Sequence, residues 1–177
     1  MTTTDLSIVI LAAGKGTRMK SRLPKVLHAI AGKPMLGHVL TATGALRGAR
    51  QVLVVGPEQD EVSTYARTVD ATLDVAVQND QRGTGDAARA ALPQLGGSDA
   101  VVLVVFGDTP LLRSETLAEM VQLCRNGSEI VALGFEAADP TGYGRLILEG
   151  SEVLRIVEHK DASDSERDIT SCFGGPL

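Results

Sequence analysis

Aromatic side chains are scarce in this sequence, 3% of 177 residues, with two Tyr, three Phe and no Trp. Platforms that stack bases along a strand need such rings, so a nucleic-acid partner is not expected. Cysteine is nearly absent as well. Cys124 falls on an apolar helical stripe and Cys172 near the C-terminus, without paired spacing, so neither a disulfide framework nor a thiolate zinc site is expected. No stretch approaches the roughly 18 apolar residues of a membrane span, and no cation precedes the first apolar run. A soluble, cytoplasmic chain without membrane contact follows as the expectation. At 177 residues it suits one domain, large enough to bury a core without staples.

Positive charge is also in the minority, the net charge being −5, yet one stretch reverses that balance. After the apolar run Ile8-Val9-Ile10-Leu11, the segment to Lys25 carries Lys15, Arg18, Lys20, Arg22 and Lys25 without one carboxylate. A basic loop on an acidic background points to a small phosphate ligand. Ala12, Ala13, Gly14 and Gly16 are small enough for backbone N–H groups to converge on a phosphate oxygen. Arg18 offers a planar fork and Lys25 a point charge, aimed by Pro24 before it. Neither common phosphate loop fits. The sixth position counted from Gly14 is Met19 instead of the dinucleotide glycine, and Gly16 is followed by Thr17-Arg18 instead of Lys-Ser or Lys-Thr.

Apolar strands alternate with amphipathic helices along most of the chain. A helix is expected over Met35 to Leu46, a strand over Gln51 to Val55, and a helix on the stripe Val62, Tyr65, Ala66, Val69. Leu73 to Gln78 alternates as a third strand facing inward through Leu73, Val75 and Val77. A helix then runs to Leu92, and Val101 to Phe106, the most apolar strand, is expected at the centre of a parallel sheet. Ser114 is a candidate cap for a helix carrying Leu117, Met120, Val121 and Cys124. Ile130 to Phe135 reads as a strand, and Glu149-Gly150-Ser151 joins two short runs as a hairpin flap. Lys160 to Arg167 is a charged surface helix or loop. The fold class is α/β, a Rossmann-like doubly wound, mostly parallel sheet with helices on both faces and a small β-hairpin flap near the C-terminus. Ligands of such sheets sit beyond the carboxyl ends of the strands, where the loop after Leu11, the turn after Gln78 and Asp108 all emerge.

Gln78, Gln81, Gly83 and Thr84 end a strand with two amides and a close-approach glycine. They suit the edge of a pyrimidine, and equally a polar turn. Asp108, after Phe106-Gly107 and before Pro110, can reach a Mg²⁺ that bridges phosphates and water, or can cap a turn. His28 and His38 read as packing or loop residues.

The pattern Leu-Ala-Ala-Gly-x-Gly-Thr-Arg-Met, ending in Leu-Pro-Lys-Val-Leu, resembles the signature of the sugar-phosphate nucleotidyltransferases. The continuation Leu27-His28-Ala29-Ile30-Ala31-Gly32-Lys33-Pro34-Met35 is similar to the uridylyltransferase half of bifunctional bacterial enzymes that make UDP-N-acetylglucosamine. That resemblance implies transfer of a uridylyl group from UTP to N-acetylglucosamine 1-phosphate with Mg²⁺, in a pathway that feeds peptidoglycan and lipopolysaccharide. It implies substrate contacts at Leu11, Ala12, Ala13, Gly14, Lys25, Gln78, Gly83, Thr84, Phe106, Gly107 and Asp108, phosphate charge held by Arg18 and Lys25, and metal at Asp108. The resemblance further implies that the Gly142-Tyr143-Gly144-Arg145 turn and Glu158 of Val157-Glu158-His159-Lys160-Asp161 receive the amino-sugar phosphate, through Gly144 and Glu158. Close relatives carry Tyr where this chain has Phe106. The family's sugar-contacting asparagine is replaced near Ser171, and its second metal asparagine and the acetyltransferase β-helix lie outside these 177 residues, which are expected to form one nucleotidyltransferase domain. Two alternatives stay open, a nucleotide-binding chain without transfer and a transferase of another base or acceptor. The sequence leaves the oligomeric state open.

Overall fold

Leu6–Leu11 forms β1, a strand buried along its whole length, because its Ile, Val and Leu side chains favour a pleated backbone and gain about 1.5–3 kcal/mol each on burial. The computed structural model describes residues 5–14, 16, 19–80, 82–95 and 101–175. Arg18, Lys15 and Gln81, singled out above, lie outside the described residues. Two compact units are formed, Met1–Gly127 and Ser128–Leu177.

In the first unit a 3₁₀ turn at Lys25–Leu27 leads to the short hairpin β2 (Ala29–Ile30) and β3 (Lys33–Pro34). There follow α1 (Met35–Gly44), β4 (Arg50–Val55), α2 (Asp60–Val69), β5 (Asp74–Val77), α3 (Thr84–Ala90), β6 (Val101–Phe106) and α4 (Ser114–Arg125). Four strands pair in parallel in the order β5-β4-β1-β6. Side chains alternate across this sheet. Val9, Leu11, Val52, Val54 and Ala76 face Ala87 and Ala91 at α3. Ile8, Ile10, Leu53, Leu103 and Val105 are buried on the opposite face, where α2 packs on β4, α4 on β6, and α1 touches both helices. The α/β fold with a parallel sheet between helices is therefore as the alternation predicts. Among the described residues no helix is long and apolar enough to cross a membrane.

Several local expectations change. Among the described residues the apolar strand β6 pairs only with β1 and stands at an edge of this sheet, because an apolar run reports burial of the two faces and says nothing about which edges are paired. In β5 the Val54–Ala76 pairing turns Ala76 inward, leaving Val77 exposed. Val69, last on the α2 stripe, is exposed, whereas Val62 and Ala66 are fully buried. Helix α1 ends at Gly44, two residues early. Ser114 is the first helical residue of α4 and Arg113 its cap position, without a side-chain capping bond.

The second unit holds β7 (Gly134–Glu136), β8 (Arg145–Glu149), β9 (Glu152–Val157), α5 (Asp164–Arg167) and β10 (Ser171–Phe173). Its sheet is antiparallel in the order β7-β10-β8-β9. The expected hairpin is present as β8–β9, turning at Gly150 and Ser151. Of the expected strand at Ile130 to Phe135 only Gly134 and Phe135 pair, within β7, and Ile130 is exposed. Short α5 is held by a capping box in which Ser163 Oγ accepts from Glu166 N and the Glu166 carboxylate accepts from Ser163 N.

Candidate active site

Three strand ends of the first unit are tied at one level of the sheet. Each ladder runs one residue past its strand: Ala12 N donates to Val54 O at 2.8 Å, Gln78 N to Val55 O at 2.8 Å, and Gly107 N to Leu11 O at 2.9 Å. The loops leaving β1, β5 and β6 are thereby anchored at their first residue, at the carboxyl edge where parallel sheets bind ligands.

These loops line a cavity of about 660 Å³. Leu11, Ala12, Ala13 and Gly14 form its β1 side, Gln78, Gly83 and Thr84 its β5 side, and Phe106 and Asp108 its β6 side, with Lys25 among them. Ten of the residues singled out by sequence thus converge on one volume, of a size that suits a small organic ligand. Gly107 does not line it. It is buried against Leu11 O and the Ala12 side chain, so it keeps β6 close to β1. Gly16, Met19, Val26 and Ala87 complete the lining.

Gly16 explains how Lys25 comes near. Its φ of +57° is a left-handed conformation, and a Cβ there would stand 2.7 Å from Lys25 Cβ. Only glycine lets the loop fold against the Lys25 stem. Met19 N closes the turn on Gly16 O at 2.8 Å. Lys25 Nζ then donates to Asp108 Oδ2 at 2.5 Å, with about a third of each side chain exposed. Sequence reasoning gave both residues but not their contact, since 83 positions separate them. Cation and carboxylate neutralise each other within the cavity, while the ammonium keeps two further N–H donors and Asp108 its second oxygen for a ligand.

Gln78 is buried, and its Nε2 donates to Gly83 O at 3.0 Å and to Asp86 Oδ2 at 2.8 Å. Asp86, not foreseen from the sequence, also accepts from Arg82 N at 3.2 Å. Gln78 and then the Arg82 N–H hold the Asp86 carboxyl below the usual carboxylate range. Gly83 begins α3 with φ +116°, a value that side chains disfavour.

As a metal ligand set, the cavity offers Asp108 alone; among the described residues no three His, Cys, Asp or Glu side chains gather. One carboxylate fits an ion such as magnesium that takes its remaining ligands from phosphate and water. It would not fit an ion that requires a protein cage.

Gly144 and Glu158 belong to the second unit. Gly144 O accepts from Phe173 N at 2.8 Å, fixing the start of β8 against β10. Glu158 is exposed just past β9, and its carbonyl accepts from Asp161 N at 2.9 Å. His28 Nε2 lies 3.3 Å from Leu23 O, and His38 Nε2, on α1, 2.9 Å from Ile30 O, and neither ring lines the cavity.

Residues 8–169 match the MobA-like NTP transferase domain. The bifunctional protein GlmU of Parvibaculum lavamentivorans is 68% identical over 177 residues, all of this chain and 39% of that protein. The bifunctional protein GlmU of Cereibacter sphaeroides is 47% identical over the same span, again 39% of its length. The chain therefore spans about two fifths of these curated relatives. Among solved structures, UDP-glucose pyrophosphorylase in complex with UDP-glucose has a TM-score of 0.78 at 17% identity, over 96% of this chain and 74% of that one. At that identity the likeness establishes the fold.

Proposed function

From the premise that this chain belongs to the MobA-like NTP transferase family, we propose that it transfers a uridylyl group from UTP to N-acetylglucosamine 1-phosphate, releasing pyrophosphate and forming UDP-N-acetylglucosamine. The observation that carries this reading is the convergence of the small-residue loop, the Gln78–Thr84 turn and the Lys25–Asp108 pair on one cavity. The high identity to the GlmU proteins supports the choice of substrates.

In this reading the backbone of Leu11, Ala12, Ala13 and Gly14 lies along the triphosphate, and Arg18 and Lys25 carry cationic charge to it. Gln78, Gly83 and Thr84 hold the uridine, with Phe106 at its sugar side and Gly107 holding β6 close to β1 behind it. Gly144 and Glu158 receive the acceptor sugar phosphate. Asp108 holds a divalent cation, magnesium, which when bound neutralises phosphate charge. Lys25 directs the N–H donors that its bond to Asp108 leaves over toward the phosphate. The acceptor phosphate oxygen attacks the α-phosphorus in line, and pyrophosphate leaves from the opposite side. Positioning and charge carry such a transfer, and no side-chain nucleophile or general base is needed.

The test is release of pyrophosphate from UTP by the purified chain with N-acetylglucosamine 1-phosphate and magnesium, run beside Asp108→Ala. Release that needs both substrates and falls at least about a hundredfold in the variant is expected. UTP binding without release would leave a nucleotide-binding chain and overturn the transferase reading. Release with glucose 1-phosphate alone would reassign the acceptor.

A further inference from the structure

The polarity of the Gln78 side-chain amide is dictated by its neighbours. Its Nε2 meets Gly83 O and Asp86 Oδ2, at 3.0 and 2.8 Å. A carbonyl and an ionised carboxylate accept and have no proton to give, so the nitrogen end must face them. Both amide hydrogens are thereby spent. The same Asp86 Oδ2 takes the Arg82 N–H, so one carboxylate fastens the side chain at the end of β5 and the turn that precedes α3. These bonds favour the charged form of Asp86, which keeps it an acceptor throughout the neutral range.

We propose that Asp86 is a positioning residue that locks the Gln78 amide with its oxygen toward the ligand, so that the site prefers a base whose ring nitrogen donates a proton. Resting on the reading of the cavity as a nucleotide site, the inference names how the base is chosen. A base that meets Gln78 meets Oε1, an acceptor. Uracil presents N3–H to it. Cytosine presents a lone pair at N3, which Oε1 repels. Asp86 does not line the cavity, and its effect on a ligand passes through Gln78. Without the acceptor at residue 86, Gly83 O alone would hold the amide by one hydrogen, Gln78 would be less firmly oriented, and the preference would narrow.

The experiment is calorimetric binding of UTP and CTP, each with magnesium, to the wild-type chain and to Asp86→Ala, which removes the acceptor and leaves Gly83 O as the remaining partner of the amide. The wild type is expected to favour UTP by at least about tenfold, and Asp86→Ala to narrow that ratio at least about threefold. A merely structural role would weaken both nucleotides alike and leave their ratio unchanged, which overturns the inference while the uridylyl reading stands. A second measurement uses the wild type alone, so that a poorly folded variant does not decide the matter. UTP methylated at N3 is expected to bind at least about tenfold more weakly than UTP. Equal binding overturns the inference. If the wild type binds no nucleotide, the nucleotide reading fails and this inference falls with it.

Discussion

Met1–Gly127 buries aliphatic side chains on both faces of a parallel sheet, whereas the largest side chain buried in Ser128–Leu177 is a guanidinium. In the first unit Ile8, Ile10, Leu53 and Val105 are fully excluded from water between helices. In the second, Arg145 is 1% exposed and donates to Tyr143 O at 2.5 Å and Arg167 O at 3.0 Å, with His159 Nδ1 at 3.3 Å. Several large apolar side chains of that unit are exposed, Leu154 at 58% and Ile130 at 78%, although Leu146, Val157 and Cys172 are buried. Hydrocarbon burial organises one unit and a hydrogen-bonded cation joins β8 to the loops of the other. The first kind of core is non-directional and tolerates repacking; the second depends on a few acceptors being in place.

The comparison can be tested by substitution. Leu53→Ala, in the fully buried face of β4, is expected to cost about 3–4 kcal/mol in a urea unfolding experiment, from lost transfer energy and the cavity left behind. Arg145→Met keeps length but leaves the carbonyls of Tyr143 and Arg167 without their donor, and is expected to cost about 2 kcal/mol. The loss should appear as faster amide exchange confined to residues 128–177. Stabilisation by Arg145→Met would break the comparison, since well-packed hydrocarbon can replace a buried charge favourably.

Acid should separate the units as well. Hydrogen bonds hold three carboxyls of the second unit below their usual range: Glu136 through Ser171 and Thr170, Asp139 through Thr141, and Glu166 through Ser163 with Arg155 contributing. A carboxyl whose pKa is lowered on folding adds stability above its unfolded value, and that stability is lost as pH falls through the folded value. In the first unit Asp86 is held low in the same way, by Gln78 and the Arg82 N–H. Amide exchange followed downward from about pH 5 should therefore accelerate first in residues 128–177. Equal acceleration in both units would contradict this. The smallest effect is expected at the rim of the parallel sheet. The Arg50 Nε–Asp74 Oδ2 pair, 2.8 Å apart with both side chains about two fifths exposed, joins β4 to β5, and Asp74→Asn should change the urea midpoint by less than about 1 kcal/mol equivalent.

The same contrast explains what was legible in the sequence. Periodicity reports which faces are buried, so β1, β4, α2 and α4 could be read from Ile8-Val9-Ile10-Leu11, Val52 to Val55 and the helical stripes. Edge positions were not legible, because β6 is apolar on its faces whether or not a further strand pairs with it. In the second unit burial departs from hydropathy: Arg145 is inside and Ile130 outside, and β10, only Ser171–Phe173, is too short to carry a pattern. Within the site, the residues recognised from local motifs came together around the cavity. The Lys25–Asp108 and Gln78–Asp86 contacts were missed, since they join side chains that only the fold makes neighbours.

The central claim is that the cavity of the first unit receives a nucleoside triphosphate through Lys25. Its most direct test is calorimetric titration of UTP with magnesium into the wild-type chain and Lys25→Ala. One UTP per chain is expected, with affinity falling at least about tenfold on loss of the ammonium. Unchanged affinity in Lys25→Ala, or no binding by the wild type, would contradict the account.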